Sequence, residues 1–137
     1  MSERPRAIQV PPNCDLSLGM ICTEKAEAGR TTWEMLADER FANAAGIMQG
    51  GFISAFADSA MGAAAVTFVG RDRKVFVANA EMKISFFKAV TIGSTLTCEA
   101  VVVSGGRRTA FVEASVSDGT RTVARASSTY LYTDRDQ

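Results

Sequence analysis

The sequence lacks histidine: its 137 residues include 15 Lys and Arg, 15 Asp and Glu, three Cys and three Pro, but no His. Without His, the chain cannot build a Ser-His-Asp or Cys-His catalytic site or a His-ligated metal centre. Acid–base chemistry must then fall to a carboxylate, Lys, Tyr or Cys. The formal net charge of zero argues against nucleic acid or an anionic membrane as the main partner, because both attract a basic excess.

Cysteine is scarce and scattered. Cys14, Cys22 and Cys98 form no Cys-x-x-Cys pair, which predicts reduced thiols and neither a disulfide framework nor a zinc site. No apolar segment follows the charged N-terminus, so we expect no secretory signal and a cytoplasmic protein. The longest uncharged run, residues 41–57, is rich in Gly and Ala and ends at Asp58, which disfavours a membrane span.

Proline is confined to the first twelve residues. We therefore predict an extended arm over residues 1–13. A chain of this length corresponds to one domain, which we place at residues 14–133, followed by a polar tail at residues 134–137.

Hydrophobic periodicity predicts one helix and six strands. Two strands are expected between residues 18 and 37, and a helix from Gly50-Gly51 to about Phe68. Alternation and the turns at Gly105-Gly106 and Asp118-Gly119 then predict four strands, over residues 75–87, 94–103, 107–117 and 121–132. This order indicates an α+β fold in which one antiparallel sheet packs against a single helix.

Asp58 is the one ionisable residue between positions 41 and 70. No Lys or Arg lies three or four positions away to pair with it. On the predicted helix it shares a face with small residues, so another chain or a ligand could approach it closely; these are Ser54, Ala55, Gly62 and Ala65. Because a buried, unpaired carboxylate is costly, Asp58 is either a functional acid or an Asp bonded to backbone or buried water.

The predicted helix begins at Gly50-Gly51. A helix N-terminus presents unpaired N–H groups and a partial positive charge. With glycine there, a carbonyl oxygen can approach the backbone, as the stabilisation of an oxyanion requires. The alternative is a simple Gly-rich first turn.

Several segments together resemble the hotdog-fold acyl-CoA thioesterases. Within the segment from Asn43 to Gly62, five residues keep the family's spacing, namely Asn43, Gly46, Gly50, Gly51 and Asp58. The sequences Ile-Ser-Phe-Phe-Lys-Ala-Val from position 84 and Ser-Gly-Gly-Arg-Arg-Thr from position 104 are similar to a strand end and a turn of the family. The most similar group is the phenylacetyl-CoA/4-hydroxybenzoyl-CoA thioesterase branch, over roughly residues 15–133. Gln49 stands where the family has His, and Ala89 where it has Pro.

The resemblance implies a sheet wrapped around one long central helix and an active site at a dimer interface. By this likeness, the Gly50 N–H polarises a thioester carbonyl, with Gln49 or Asn43 assisting. Asp58 of the neighbouring chain activates water as a general base or attacks directly as a nucleophile. Both routes remain open at this stage.

The resemblance also implies substrate-binding residues. Gly51 lies at the helix start, and the position of Asn79 in relatives often carries a small polar residue near the attacking water, although alternation places Asn79 on the polar face of its strand. Lys88, Arg107 and Arg108 are candidates for holding the phosphates of coenzyme A. Neither metal nor cofactor is implied beyond the CoA of the substrate. Three mid-strand acids are expected to be exposed or at an interface: Glu81, Glu99 and Glu113.

The predicted function is hydrolysis of an aryl- or medium-chain acyl-CoA by a homodimer or, more readily, a homotetramer. Aromatic and Met side chains could line the acyl pocket or belong to the ordinary core: Phe52, Phe56, Met82, Phe86 and Phe87. The alternative is a non-catalytic acyl-CoA binding or sensing protein, because Gln49 cannot carry a proton. A hotdog dehydratase or hydratase is disfavoured, since such sites pair an Asp with a His.

Overall fold

The computed structural model describes residues 10–135. Its helices and strands are α1 (Asn13–Leu18), β1 (Ile21–Glu24), β2 (Arg30–Leu36), α2 (Gly50–Phe68), β3 (Val75–Phe86), β4 (Thr95–Gly105), β5 (Thr109–Ser117) and β6 (Thr122–Asp134). A short 3-10 helix, Glu39–Phe41, lies between β2 and α2. The strands form one sheet in the order β1-β2-β4-β5-β6-β3, and each pair of neighbours is antiparallel. This confirms the predicted α+β architecture of one sheet around one long helix.

Helix α2 is the centre of the core. It packs against β2, β3, β4, β5 and β6. Seven of its residues are buried, and five of these are Ala or Met, which let the helix lie close to the sheet: Ala57, Ala60, Met61, Ala64 and Ala65, with Ile53 and Phe56. By length and mean hydropathy α2 could also cross a membrane, a test that the core helix of a globular protein passes as well.

The first half of β3 faces the opposite way from the prediction. Phe76 is 52% exposed, whereas Val77 and Asn79 turn toward α2. The register with β6 shifts between Asn79 and Glu81, which forms a bulge at Ala80. Beyond the bulge, the residues that were predicted to face the core, such as Met82, do pack against it. One extra residue thus inverts the alternation and brings Asn79 to the inner face.

At both ends of the chain the structure differs from the sequence prediction over a few residues only. Residues 13–18 form helix α1, which was not predicted, and Gly19 ends it in the left-handed conformation at φ 71°. Most of the predicted arm, residues 1–9, lies outside the described residues. At the other end, β6 continues into the predicted tail through Asp134, which pairs with Arg73 at 2.7 Å.

Candidate active site

The Asp58 carboxylate is held by two side chains from the sheet. Its Oδ1 accepts hydrogen bonds from the Tyr130 hydroxyl at 2.6 Å and from Asn79 Nδ2 at 2.9 Å. The Asn79 amide group also donates to Ser128 Oγ at 3.1 Å. Asp58 comes from α2, Asn79 from β3, and Ser128 and Tyr130 from β6. The three elements together fix the direction in which the acid points.

Tyr130 is a hydrogen-bond donor in this cluster. Burial, and after it the neighbouring Asp58, raises the pKa of Tyr130 well above its usual value. The phenol therefore keeps its proton at neutral pH, and the distance of 2.6 Å is that of a hydrogen bond to a charged acceptor. Such bonds contribute about 1.5–3 kcal/mol.

Asn79 can be oriented in one way only. An amide donates through nitrogen and accepts through oxygen, so the nitrogen must face the Asp58 carboxylate. Its Oδ1 is then buried and finds no partner among residues 10–135. Because buried polar atoms are rarely left unpaired, this oxygen lacks a partner that the described residues do not supply.

The N-terminus of α2 forms a second group of polar atoms. Gln49 is the extended N-cap residue; its N–H donates to the Phe41 carbonyl at 2.8 Å and its side chain is exposed. A Cβ on Gly50 would lie 3.0 Å from the ring of Phe86, so glycine allows this ring to approach the helix start. A Cβ on Gly51 would lie 3.5 Å from Gln49 Oε1, which places the Gln49 amide beside the first turn.

Asn43 organises the loop before the helix. Its Oδ1 accepts from the N–H groups of Ala45 at 2.9 Å and Ile47 at 3.3 Å. Gly46 closes the same turn with a φ of 79°, which a residue with a side chain rarely adopts. Within one chain, therefore, the Asn43 side chain stabilises the loop before α2. Its contact with substrate remains a prediction.

Gly50 and Asp58 do not form one site within a single chain. They are eight positions apart on α2, which corresponds to about 12 Å along the axis. A thioester carbonyl bound at the Gly50 N–H would thus lie out of reach of the same chain's carboxylate. The two predicted groups can act together only if they come from different copies.

The candidate phosphate-binding residues lie at two ends of the fold. Lys88 is exposed and follows β3, whose last residue, Phe86, contacts the start of α2. Arg107 and Arg108 lie in the β4–β5 turn, where the Arg107 carbonyl accepts from Arg73 Nη1 at 2.8 Å, beyond the end of α2. The structure does not bring Lys88 and the two arginines together within one chain.

The structure also locates the three mid-strand glutamates and the three cysteines. Glu81, Glu99 and Glu113 are exposed, as predicted. The three cysteines are free, and burial raises the pKa of Cys98 to about 12, so this thiol stays protonated. Cys98 is also completely buried, so its sulfur is not placed to act as a nucleophile.

Tyr130 and Ser128 were not predicted as site residues. Both occupy inward positions in the alternation of β6, together with Ala126 and Tyr132. Polar residues on a face that is otherwise apolar were the available signal, because a buried hydroxyl needs a partner.

Comparisons with known proteins identify the family and the fold. The thioesterase superfamily model matches residues 45–125, more than half of the chain. A conserved protein from Pseudomonas aeruginosa is 28% identical, with a TM-score of 0.79 over 87% of this chain and 92% of that one. A phenylacetic acid degradation-related protein from Ralstonia eutropha is 23% identical, with a TM-score of 0.78 over 88% and 89%. A Streptococcus mutans protein solved with acetyl-CoA is 21% identical, with a TM-score of 0.77 over 86% and 91%.

No curated protein sequence matches this chain. The family match nevertheless covers the loop before α2, the helix itself and most of the sheet. It includes Gly50, Asp58 and Asn79, and the solved neighbours share the fold. The chain belongs to the thioesterase superfamily and is a thioester hydrolase with the hotdog fold.

Proposed function

We propose that this protein hydrolyses an aryl- or medium-chain acyl-CoA to the free acid and CoA at a site shared by two copies of the chain. The observation that carries the proposal is the Asp58 carboxylate, held by Tyr130 and Asn79 beside the strand β3. A CoA thioester as substrate is supported by the Streptococcus mutans protein of the same fold, which was solved with acetyl-CoA.

The position of β3 supports assembly across this site. β3 is twelve residues long and lies at the edge of the sheet, and among residues 10–135 no strand pairs with its outer side. Such an edge offers unpaired N–H and C=O groups to another strand. A second copy pairing there would lie beside Asn79 and Asp58 and could bring its own Gly50 to them. The unpaired edge of β3 supports at least a homodimer, and the exposed apolar side chains of the sheet, such as Phe76, Phe111 and Leu131, favour a homotetramer.

The chemistry needs only a polarised carbonyl and a carboxylate. The Gly50 N–H of one copy polarises the thioester carbonyl, and Gln49 assists as a neutral hydrogen-bonding group. Asp58 of the other copy removes a proton from water, whose oxygen bonds to the carbonyl carbon, or it attacks that carbon itself to give an anhydride that water then opens. The C–S bond breaks and the thiolate takes up the proton; with a thiol pKa near about 8.5, this leaving group needs no strong acid.

Asn79 and the basic residues have supporting roles in this proposal. The unpaired Asn79 Oδ1 accepts a hydrogen bond from the attacking water, while its nitrogen orients Asp58. Gly51 leaves room for the acyl carbonyl, and Arg107 and Arg108, with Lys88 of the other copy, lie near the bound coenzyme.

Thiol release from a panel of acyl-CoAs tests the proposed function. The panel should contain aryl, short-chain, medium-chain and long-chain thioesters. Turnover that is highest with aryl or medium-chain substrates is the expected result. If acyl-CoA raises the melting temperature but is not consumed, the protein is a binding or sensing module; a preference for short or long chains would refute the proposed acyl specificity.

The shared site predicts complementation between two inactive variants. Asp58→Asn removes the acid, and Gly50→Val places a branched side chain against the Phe86 ring and the helix start. Each variant alone should be inactive. When the two are co-expressed, about half of the dimers are mixed and each has one intact site, so activity should return to roughly a quarter of wild type.

The control for this experiment is each variant co-expressed with a differently tagged copy of itself. Activity that stays at the level of the single variants in purified mixed dimers would show that Gly50 and Asp58 do not act across the interface.

Replacing Tyr130 with Phe should lower kcat roughly ten- to a hundredfold, because the Asp58 carboxylate loses its shortest hydrogen bond. KM should change little, since the hydroxyl acts through Asp58 and does not touch the substrate. Steady-state kinetics measures both constants.

Tyr132→Phe is the matched control. The Tyr132 hydroxyl donates to the Ala65 carbonyl at 2.6 Å, so this variant loses an equally short bond away from Asp58. We expect its kcat to stay near wild type. Equal losses of kcat in both variants would mean that the Tyr130 hydroxyl matters only for stability.

A further inference from the structure

Ser128 carries a buried hydroxyl on the inner face of β6. It is 1% exposed, and its inward neighbours along the strand, Ala126 and Tyr130, are also buried. A buried hydroxyl without a partner costs free energy that an alanine would not. Thr31, a second buried hydroxyl of the sheet, donates to the Ala60 carbonyl at 2.9 Å and so ties β2 to α2. Within residues 10–135 Ser128 has no such backbone partner, and it bonds instead to a side chain of the candidate site.

That side chain is Asn79, whose amide nitrogen meets three acceptors. Nδ2 lies 2.9 Å from Asp58 Oδ1, 3.1 Å from Ser128 Oγ and 3.4 Å from the Tyr130 hydroxyl oxygen. The two nearer oxygens, those of Asp58 and Ser128, therefore take its two N–H bonds. Because both N–H bonds lie in the plane of the amide, two acceptors on the nitrogen fix that plane, and with it the direction of Asn79 Oδ1.

The register of the sheet brings Asn79 and Ser128 together. Asn79 lies directly across from Tyr130, and the bulge at Ala80 makes Met82 the residue opposite Ser128. Asn79 is thus diagonal to Ser128 on the inner face, within reach of its side chain. Asn79 Oδ1, at the other end of the amide, is buried and has no partner among residues 10–135. The nitrogen of this amide is therefore fully bonded, whereas its oxygen is not.

We propose that Ser128 is a positioning residue for hydrolysis, which holds the Asn79 amide in the plane that directs Oδ1 at the reacting water. The inference rests on the proposed function, in which this oxygen accepts a hydrogen bond from that water. Within residues 10–135 Ser128 makes no hydrogen bond to Asp58, so it acts through Asn79. The water donates one proton to Asn79 Oδ1 and the other to Asp58, which leaves a lone pair directed at the thioester carbon.

Replacing Ser128 with Ala tests this role. The second N–H of Asn79 then has the Tyr130 hydroxyl, 3.4 Å from the nitrogen, as its nearest remaining acceptor, and the amide turns. We expect kcat to fall about three- to tenfold, the effect of one neutral hydrogen bond, while KM stays within about twofold of wild type. The melting temperature should not fall, because a buried alanine needs no partner. An unchanged kcat would overturn the proposal, and a lower melting temperature at unchanged kcat would make Ser128 a structural residue.

Ser127→Ala is the matched control. Ser127 precedes Ser128 in β6, faces the other side of the sheet and lines a hollow there with Lys83 and Arg125. Its kcat should equal that of wild type. The Asn79→Ala background is the second control: if Ser128 acts through Asn79, Ser128→Ala adds less than about twofold to the loss that Asn79→Ala already causes. A Ser128→Ala loss that is as large in that background as in the wild type would overturn the proposal.

The side-chain amide of Asn79 provides a measurement that needs no turnover. Both Nδ2 protons are hydrogen-bonded in the wild type, so their NMR signals should exchange slowly with solvent, and at least about tenfold faster in Ser128→Ala. Asn79→Ala identifies these signals by their loss. Equal exchange in wild type and Ser128→Ala would refute the inference. A wild type that hydrolyses no acyl-CoA would refute the proposed function instead, and the exchange rates would still decide whether Ser128 holds the amide.

Discussion

Replacing Asp58 with Asn should reduce the kcat of thioester hydrolysis by roughly a thousandfold. The amide can neither take a proton from water nor form an anhydride, so both proposed routes lose their reacting group. The variant keeps the shape of the side chain, and its Oδ1 still accepts from Tyr130 and Asn79. The fold and the affinity for acyl-CoA should therefore be retained. Thiol release measures the rate, and calorimetry with the intact substrate measures binding.

Asp72→Asn is the control for this result. Asp72 is exposed, lies in the connection between α2 and β3, and contributes no ion pair within residues 10–135. Its kcat should match wild type. If Asp58→Asn keeps full activity while the melting temperature falls, Asp58 is a structural acid and the proposed mechanism is wrong.

Replacing Phe56 with Ala should lower the free energy of unfolding by about 3–5 kcal/mol. Phe56 is completely buried in α2, at the centre of the core formed with the sheet. Truncation leaves a cavity that a helix contacting five strands cannot close by moving. Urea denaturation at a fixed protein concentration measures the change, since assembly would add to the apparent stability.

Val66→Ala provides the comparison on the same helix. Val66 is 41% exposed, so its loss should cost less than about 1 kcal/mol. Equal effects at the two positions would mean that the exposed side of α2 is buried in the assembled protein to the same degree as the core side.

Local signals were enough to predict the architecture. Gly50-Gly51 and Gly70 bracket a long apolar segment, and α2 extends between them, from Gly50 to Phe68. The turns at Gly105-Gly106 and Asp118-Gly119 separate alternating segments, and the strands β4, β5 and β6 meet there. These features depend on residues that are close in sequence, which is why periodicity and turn chemistry reveal them.

The partners of Asp58 depend on contacts distant in sequence. Tyr130 lies 72 positions from Asp58, and its place depends on the register of β6 against β3. Asn79 faces Asp58 only because a bulge interrupts the alternation of β3, and bulges leave little trace in a single sequence. The acid itself was predictable because it is isolated in an uncharged segment, whereas the side chains that orient it were not.

The bulge at Ala80 also limits how the length of β3 can change. Val77 and Asn79 differ in parity from Met82 and Ile84, so without the bulge a strand of this sequence would turn one of these pairs to the solvent; deleting Ala80 would instead place all four on one face of a regular two-residue repeat. An insertion or deletion elsewhere in the strand would turn one of these pairs away from α2 and is therefore far more damaging than a substitution at an exposed position. Variation in length among functional descendants of this sequence should accumulate in the β1–β2 loop and at the chain ends, and within β3 only at the bulge.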